Sequence, residues 1–600
     1  MCGIVALIGG APRRAMLDGM LERLRHRGPD ATGVYADPLG EVLLGHTRLS
    51  IIDLSQAAGQ PMTSADGRFH VVLNGEIYNY RELRAELAEY PFRTASDTEV
   101  LLAAFARWGT GCLDRLLGMF AFAIWDSQER RLIAARDRFG VKPLFYHLAA
   151  DGTLMLVSEI KALWAAGAPA EPNAETWAGY LVGGAHEEEA RTFWRGIHAV
   201  PAGHLLEWHD GQIGVRCWYD LANERTLDID ERSLQRAQEE YLDLLCDSVR
   251  LRFRADVPVG LNLSGGLDSS LLLGLVDLVQ GRDSALSVFT LVTGDARYDE
   301  LPWVEQALAR TPHQLVVSRL SPADVPALAA SVQEAQDEPF GGIPTLAYAQ
   351  LFSAARERGI TVVLDGQGMD EQWAGYDYYR FAGAASPPLV QGSVSRATRP
   401  ECVRPDFAAL APAARGAGPF PDALRNLQYR DARYTKLPRA LRFADRVSMR
   451  SSIELREPFL DHRLFELALR QPASRKIGPQ GGKQLLRSLA GVVVPLRVAE
   501  APKRAVQTPQ REWLRGPLRQ WATAQIEGAI DAVGGSWLDA RAVRAEWSSF
   551  LAGHSDNSFF VWQWISLGLM RHGAAPAARP AAPSRRSRAA VHHRADASQP

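Results

Sequence analysis

The sequence predicts two unlike folds in tandem. The first, over residues 2–205, is an α+β sandwich of mostly antiparallel sheets covered by helices; the second, over residues 236–572, is an α/β doubly wound parallel sheet. Three observations predict this. A chain of 600 residues is too long for one core, so at least two domains are expected. Short apolar-alternating runs at 41–44, 69–73, 121–125 and 154–157 read as half-buried strands. Beyond residue 236 the apolar runs 259–263, 285–292 and 359–364 have buried-strand composition and alternate with helical spacing.

The bulk composition narrows the function classes. The chain is 46% hydrophobic and 23% charged, with a net charge of −2. That near-neutral balance gives no reason to expect nucleic acid or an anionic membrane as partner. No apolar run approaches the length of a bilayer span. Residues 1–10 have no basic region ahead of the apolar one, so no signal peptide is expected and the protein reads as cytoplasmic. The five cysteines (Cys2, Cys112, Cys217, Cys246 and Cys402) are odd in number and form no Cys-x-x-Cys pair, which implies a reducing compartment and no zinc site.

Cys2 follows the initiator methionine directly. Removal of Met1 would leave a thiol beside its own α-amine, which titrates near ~8 and can serve as general base. This is an N-terminal-nucleophile arrangement. Four further stretches follow: a turn at Arg25-His26-Arg27-Gly28-Pro29-Asp30, a strand at 46–53, Asn74-Gly75-Glu76-Ile77-Tyr78-Asn79 after the run 69–73, and Ser96-Asp97-Thr98-Glu99 capping a helix. With these motifs in this order, residues 2–205 resemble class II glutamine amidotransferases. The resemblance implies that Cys2 attacks the glutamine side-chain amide, with Asn74 and the Gly75 N–H stabilising the oxyanion. It implies a glutamine pocket of Arg48, Leu49, Ser50, Ile51, Ile52, Asn74, Gly75, Glu76 and Asp97, in which Arg48 clamps the substrate carboxylate.

Residues 206–235 read as a hairpin-like connection, and 234–251 as an amphipathic helix. The run 259–263 is then broken by Ser264-Gly265-Gly266-Leu267-Asp268-Ser269-Ser270, after which helical spacing resumes. A strand, a glycine-rich turn and a helix start form an anion cradle. No lysine follows the second glycine, so this is not the Gly-Lys-Ser/Thr loop. It resembles the pyrophosphatase loop of enzymes that split ATP into AMP and pyrophosphate. A second glycine-rich loop, Asp365-Gly366-Gln367-Gly368-Met369-Asp370-Glu371, follows the run 359–364, where ligands sit in an open parallel sheet.

The second half as a whole resembles the synthetase domain of glutamine-hydrolysing asparagine synthetases. That implies an ATP site of Leu263, Ser264, Gly265, Gly266, Asp268, Ser269, Leu291, Asp365 and Gly366. Asp268 and Asp370 would hold Mg²⁺, and Lys483 would act catalytically on the departing phosphates. Gln367, Glu371, Arg446 and Glu454 are the candidates for the acyl site. The family form of the second loop has Ser where Asp365 stands and Glu where Gln367 stands. A neutral amide cannot act as a base, so either Asp365 or Glu371 compensates or the accepted carboxylate differs. Residues 383–425 read as an irregular insertion and 573–600 as a disordered basic tail.

The expected reaction is glutamine-dependent synthesis of asparagine from aspartate and ATP, with ammonia crossing an apolar passage between two sites. A same-mechanism enzyme acting on a sugar uronate or a secondary metabolite stays open, as does a silent scaffold. The expected partners are small molecules, with a homodimer left open.

Overall fold

The computed structural model describes residues 1–573 apart from 11–12, 187–189, 282–283, 310, 384–395, 414–417, 480, 495–507 and 534. The predicted tail beyond residue 573 and part of the predicted insertion lie outside the described residues.

The first unit is built of twelve strands: β1 (Gly3–Ile8), β2 (Ala31–Ala36), β3 (Val42–Arg48), β4 (Met62–Thr63), β5 (Phe69–Ile77), β6 (Gly118–Asp126), β7 (Arg131–Arg136), β8 (Phe145–Leu148), β9 (Leu154–Val157), β10 (Ile197–Ala199), β11 (His204–His209) and β12 (Gln212–Cys217). They form two antiparallel sheets, ordered β10-β8-β9-β1-β3-β2 and β12-β11-β7-β6-β5-β4. The sheets face each other across a core in which Ile4, Ala6 and Leu44 of one meet Val72, Ala121, Ala123 and Ala134 of the other. The alanines allow close approach of the two sheets. Helices Arg14–Leu24 and Asp97–Trp108 pack on the outer faces, the latter capped by Ser96 Oγ accepting from Thr98 N.

One boundary differs from the sequence expectation. β11 and β12 pair along His204–Cys217 and extend the sheet of β7, so the stretch after residue 205 completes the first unit instead of linking two. β12 is an edge strand with mostly exposed side chains, so no buried face ties it to the sheet in the sequence pattern.

The second unit carries β13 (Val259–Asn262), β14 (Ser287–Val292), β15 (Gln314–Arg319), β16 (Val362–Leu364) and β17 (Glu454–Arg456) in the spatial order β15-β14-β13-β16-β17. All neighbours are parallel. The chain runs outward from β13 to β15 and then returns to the other side at β16. The loops after β13 and β16 therefore diverge at a topological switch point.

The two units meet through buried charge. Arg27 Nη1 reaches Glu159 at 2.7 Å and Asp445 at 2.9 Å, Arg446 reaches Glu159 at 3.1 Å, and Lys161 reaches Asp337 at 3.2 Å.

Candidate active site

The first centre lies where β1 begins. β1 sits between β9 and β3 in the middle of its sheet, which fixes Cys2 at the sheet's end. Arg27 Nε donates to Cys2 O at 2.9 Å, and Cys2 N donates to Asn74 Oδ1 at 3.1 Å. Asn74 is fully buried, and among the described residues its Nδ2 has no partner. A buried amide N–H without an acceptor is a ready oxyanion donor. Gly75 lies beside it at φ +147, and a Cβ there would stand 2.1 Å from Met119 O. Only glycine fits.

The acids around Cys2 are strongly perturbed. Burial pushes Asp97 up to about 6, although Ile77 N donates to its carboxylate at 2.9 Å. Burial, reinforced by Glu454 and Asp97, raises Glu76 well above the usual carboxylate range. Burial also raises the Cys2 thiol, against which the nearby chain amine acts. Arg48 donates from Nη1 to Ser55 O at 2.7 Å and from Nη2 to Asp53 O. Leu49, Ile51 and Ile52 are buried apolar residues of the same stretch, and the Cys2 sulfur lies 4.0 Å from Leu49 O. Ser50 N is anchored on Asp30 at 2.8 Å. Met1 is buried, and its amine donates to Glu454 Oε2 at 3.0 Å. Its removal vacates a side chain's volume at the nucleophile and hands the role of amine to Cys2, still facing Asn74 Oδ1.

The second centre lies at the switch point. Ser264 N donates to Ser269 Oγ at 3.2 Å, closing the first loop, and Gly265 takes φ +74 against Trp303. Helix Leu267–Gln280 starts at Gly266 with no side-chain cap, so its first N–H groups face the loop. Lys483 Nζ lies 2.5 Å from Asp268 and 2.6 Å from Asp370, drawing the acids of both loops to one point. Burial works against the lysine's charge, yet the two carboxylates outweigh it and its pKa rises. Lys483 adopts φ 67, an uncommon conformation for a side-chain-bearing residue. Beside the loops lies an open cleft lined by apolar Leu263, Leu291 and Leu351, by Tyr298 and Tyr348, and by polar Asn262, Ser264, Asp299 and Glu300.

Two family models match: a glutamine amidotransferase domain over residues 1–219 and asparagine synthase over residues 240–572. The chain belongs to the glutamine-hydrolysing asparagine synthetase family. A Mycobacterium tuberculosis (strain ATCC 25618 / H37Rv) protein, provisionally described as an asparagine synthetase [glutamine-hydrolyzing], is 32% identical over 94% of this chain and 96% of its own length. Asparagine synthetase [glutamine-hydrolyzing] 1 of Bacillus subtilis (strain 168) is 29% identical over 94% and 95%. Amidase chyE of Penicillium rubens (strain ATCC 28089 / DSM 1075 / NRRL 1951 / Wisconsin 54-1255) is 31% identical over 87% and 90%.

Against the pattern expected of an asparagine synthetase, two candidates move. Arg446 is at the interface between the units, donating to Ser158 O at 3.2 Å. Glu454 stands at the first centre, where it receives Met1 and, at 2.6 Å, Arg456 Nε. Neither reaches the second loop, because β17 lies at the sheet edge nearest the first unit and Glu454 is its first residue. Gln367, Glu371 and Asp365 do gather there. Burial raises Glu371 to about 7, and Tyr376 OH donates to it at 2.7 Å.

Gly375 and Tyr376 have no counterpart among the sequence candidates, and Glu457 belongs to the stretch 454–461 that resembles a family signature near the acyl site. Gly375 lies so close to the phosphate loops that a Cβ would come 1.9 Å from Asp370 Oδ1 and 2.3 Å from Lys483 Cε. Tyr376 follows it, and Glu457 lies buried one residue past β17. For Gly375 and Tyr376, only their spacing shortly after the second loop offered a signal.

Proposed function

We propose that this enzyme hydrolyses glutamine at Cys2 and uses the ammonia to amidate aspartate through an acyl-adenylate, giving asparagine, glutamate, AMP and pyrophosphate. The observation that carries this reading is the pairing, on one chain, of a buried Cys2–Asn74 centre with a two-loop phosphate centre joined through β17. Cys2, freed of Met1, attacks the glutamine amide; its α-amine takes the thiol proton, and Asn74 Nδ2 with Gly75 N–H receives the oxyanion. Arg48 and Asp97 hold the ends of the amino acid.

At the second centre the loop after β13 and the Lys483 ammonium hold the phosphates of ATP. Asp268 and Asp370 suit Mg²⁺, which takes one or two carboxylates plus substrate phosphates. Their oxygens already converge on one cation, and among the described residues no group of three or more acids, histidines or cysteines forms a self-sufficient ion site. When bound, Mg²⁺ would neutralise phosphate charge. Among the described residues no helix is long and apolar enough to cross a membrane, and a cytoplasmic location fits the ATP requirement.

The apolar passage for ammonia between the centres stays part of this proposal. β17 stands between them with Glu454 at its start and Arg456 at its end, and Lys142 Nζ donates to Leu455 O at 3.4 Å.

The test is pyrophosphate release from glutamine, ATP and magnesium with and without aspartate. Release that depends on aspartate supports this acceptor, and release that ignores it removes it. A second acceptor class keeps support from Asp365 and Gln367 in the second loop and from the amidase relative of Penicillium rubens.

A further inference from the structure

β16 and β17 run parallel with Leu364 beside Arg456, and Asp365 N donates to Arg456 O at 2.9 Å. One residue further, Asp365 and Glu457 leave adjacent strands side by side. Both are buried, 5% and 3% exposed. Asp365 Oδ1 accepts from Gly366 N at 2.7 Å and Asn262 Nδ2 at 3.4 Å. Its Oδ2 has no partner among the described residues, and neither has Glu457 Oε2. Two buried acids, each with an uncommitted oxygen, meet at the carboxyl ends of two strands.

The groups around them come from every neighbouring element. Asn262 lies on β13, Tyr348 on helix Ile343–Glu357, Arg252 on helix Leu234–Arg252, Lys142 in the first unit, and Gln367 in the same loop as Asp365. Burial raises both acids, Asp365 to about 6 and Glu457, pressed further by Asp365, well above the usual carboxylate range. Like charges at such a site share one proton. The charge of Asp365 raises Glu457 and not the reverse, so Asp365 is the member that ionises first.

The placement fits one step. β17 begins at Glu454, against the Cys2 centre, and Glu457 lies three residues on, roughly 10 Å along the strand. The loop that starts at Asp365 leads to Asp370, which meets Lys483 Nζ at 2.6 Å. The pair therefore stands between the source of ammonia and the acyl-adenylate. We propose that the Asp365–Glu457 pair is the proton acceptor for the attack of ammonia on the acyl-adenylate. This rests on the adenylation reading above and adds a base that Gln367, a neutral amide, cannot be. The nitrogen lone pair forms the C–N bond, the acyl C–O bond to AMP breaks, AMP leaves with that electron pair, and one N–H proton passes to the Asp365 carboxylate.

The full-length enzyme and its variants Asp365→Asn and Glu457→Gln are compared in two assays with aspartate: ATP–pyrophosphate exchange, which reads adenylation, and amide formation at fixed free ammonia. Asp365→Asn should lower amide formation relative to exchange by about 10²–10⁴-fold. Glu457→Gln keeps a neutral side chain beside Asp365, so the acid limb of the ammonia-dependent rate should persist in it, whereas Asp365→Asn should lose that limb. Parallel loss of exchange and amide formation in Asp365→Asn, or an acid limb that persists in Asp365→Asn, overturns the assignment. Absence of exchange in the wild type with aspartate rejects that acceptor alone. The same ratio is then read with glucuronate and glutarate, and absence of exchange with all three removes adenylation and the pair's role together.

Discussion

Asn74 divides its amide between two tasks: the oxygen orients Cys2 N at 3.1 Å, and the buried Nδ2 is left for the substrate. Asn74→Ala should therefore cut glutamine hydrolysis by about 10²–10³-fold, the usual loss for one oxyanion donor. Glutamate release measures it, and a loss below tenfold would contradict the role. Asp97 gives a pH signature. Its folded pKa lies near 6, above the ordinary carboxylate value, so it is ionised above that pH and loses its charge below it. The KM for glutamine should rise as pH falls through about 6 in the wild type, while Asp97→Asn should show a high KM with no such rise. Cys2, Asn74, Gly75 and Asp97 stand out in the sequence because each lies in a short stretch that carries the family resemblance, and the structure places Cys2 against Asn74 and Asp97 against Ile77 N. Gly375 does not, because the need for glycine there comes partly from Lys483, more than ninety positions away.

At the scale of elements, the parallel sheet places the site. β13 and β16 are neighbours whose following loops part at the switch point, and Lys483 bridges the acids that those loops carry. The contact tolerates no side chain at Gly375. Gly375→Ala should reduce ATP–pyrophosphate exchange by more than tenfold and leave glutamine hydrolysis within about twofold, since an overpacked contact costs about 1–3 kcal/mol locally. Equal loss of both activities would show that the glycine serves overall folding. The three strands with mainly apolar runs, β13, β14 and β16, were readable from composition, since parallel strands are buried on both faces. The β11–β12 stretch is readable as a hairpin but not as part of the first sheet, because β12 is a solvent-facing edge strand with no buried face. β17 is not readable as a strand for the opposite reason: its charged Glu454-Leu455-Arg456 lacks strand composition, although all three residues are buried.

At the scale of the molecule, the two units are locked by a charge cluster with Arg27 at its centre. Its guanidinium is fully buried, and Glu159 and Asp445 are both within 2.9 Å. Arg27→Met leaves both acids buried without that partner, which should destabilise the protein by about 3–5 kcal/mol. Chemical denaturation followed by tryptophan fluorescence measures this, and a loss below about 1 kcal/mol would show the cluster to be solvated. The central claim concerns traffic between the units: one makes ammonia at Cys2 and the other consumes it. The most direct test is amide formation by Cys2→Ala, supplied in turn with glutamine and with ammonium. Synthesis from glutamine should vanish while synthesis from ammonium stays near the wild-type rate. Retained synthesis from glutamine, or loss of synthesis from both nitrogen sources, would contradict the two-centre account.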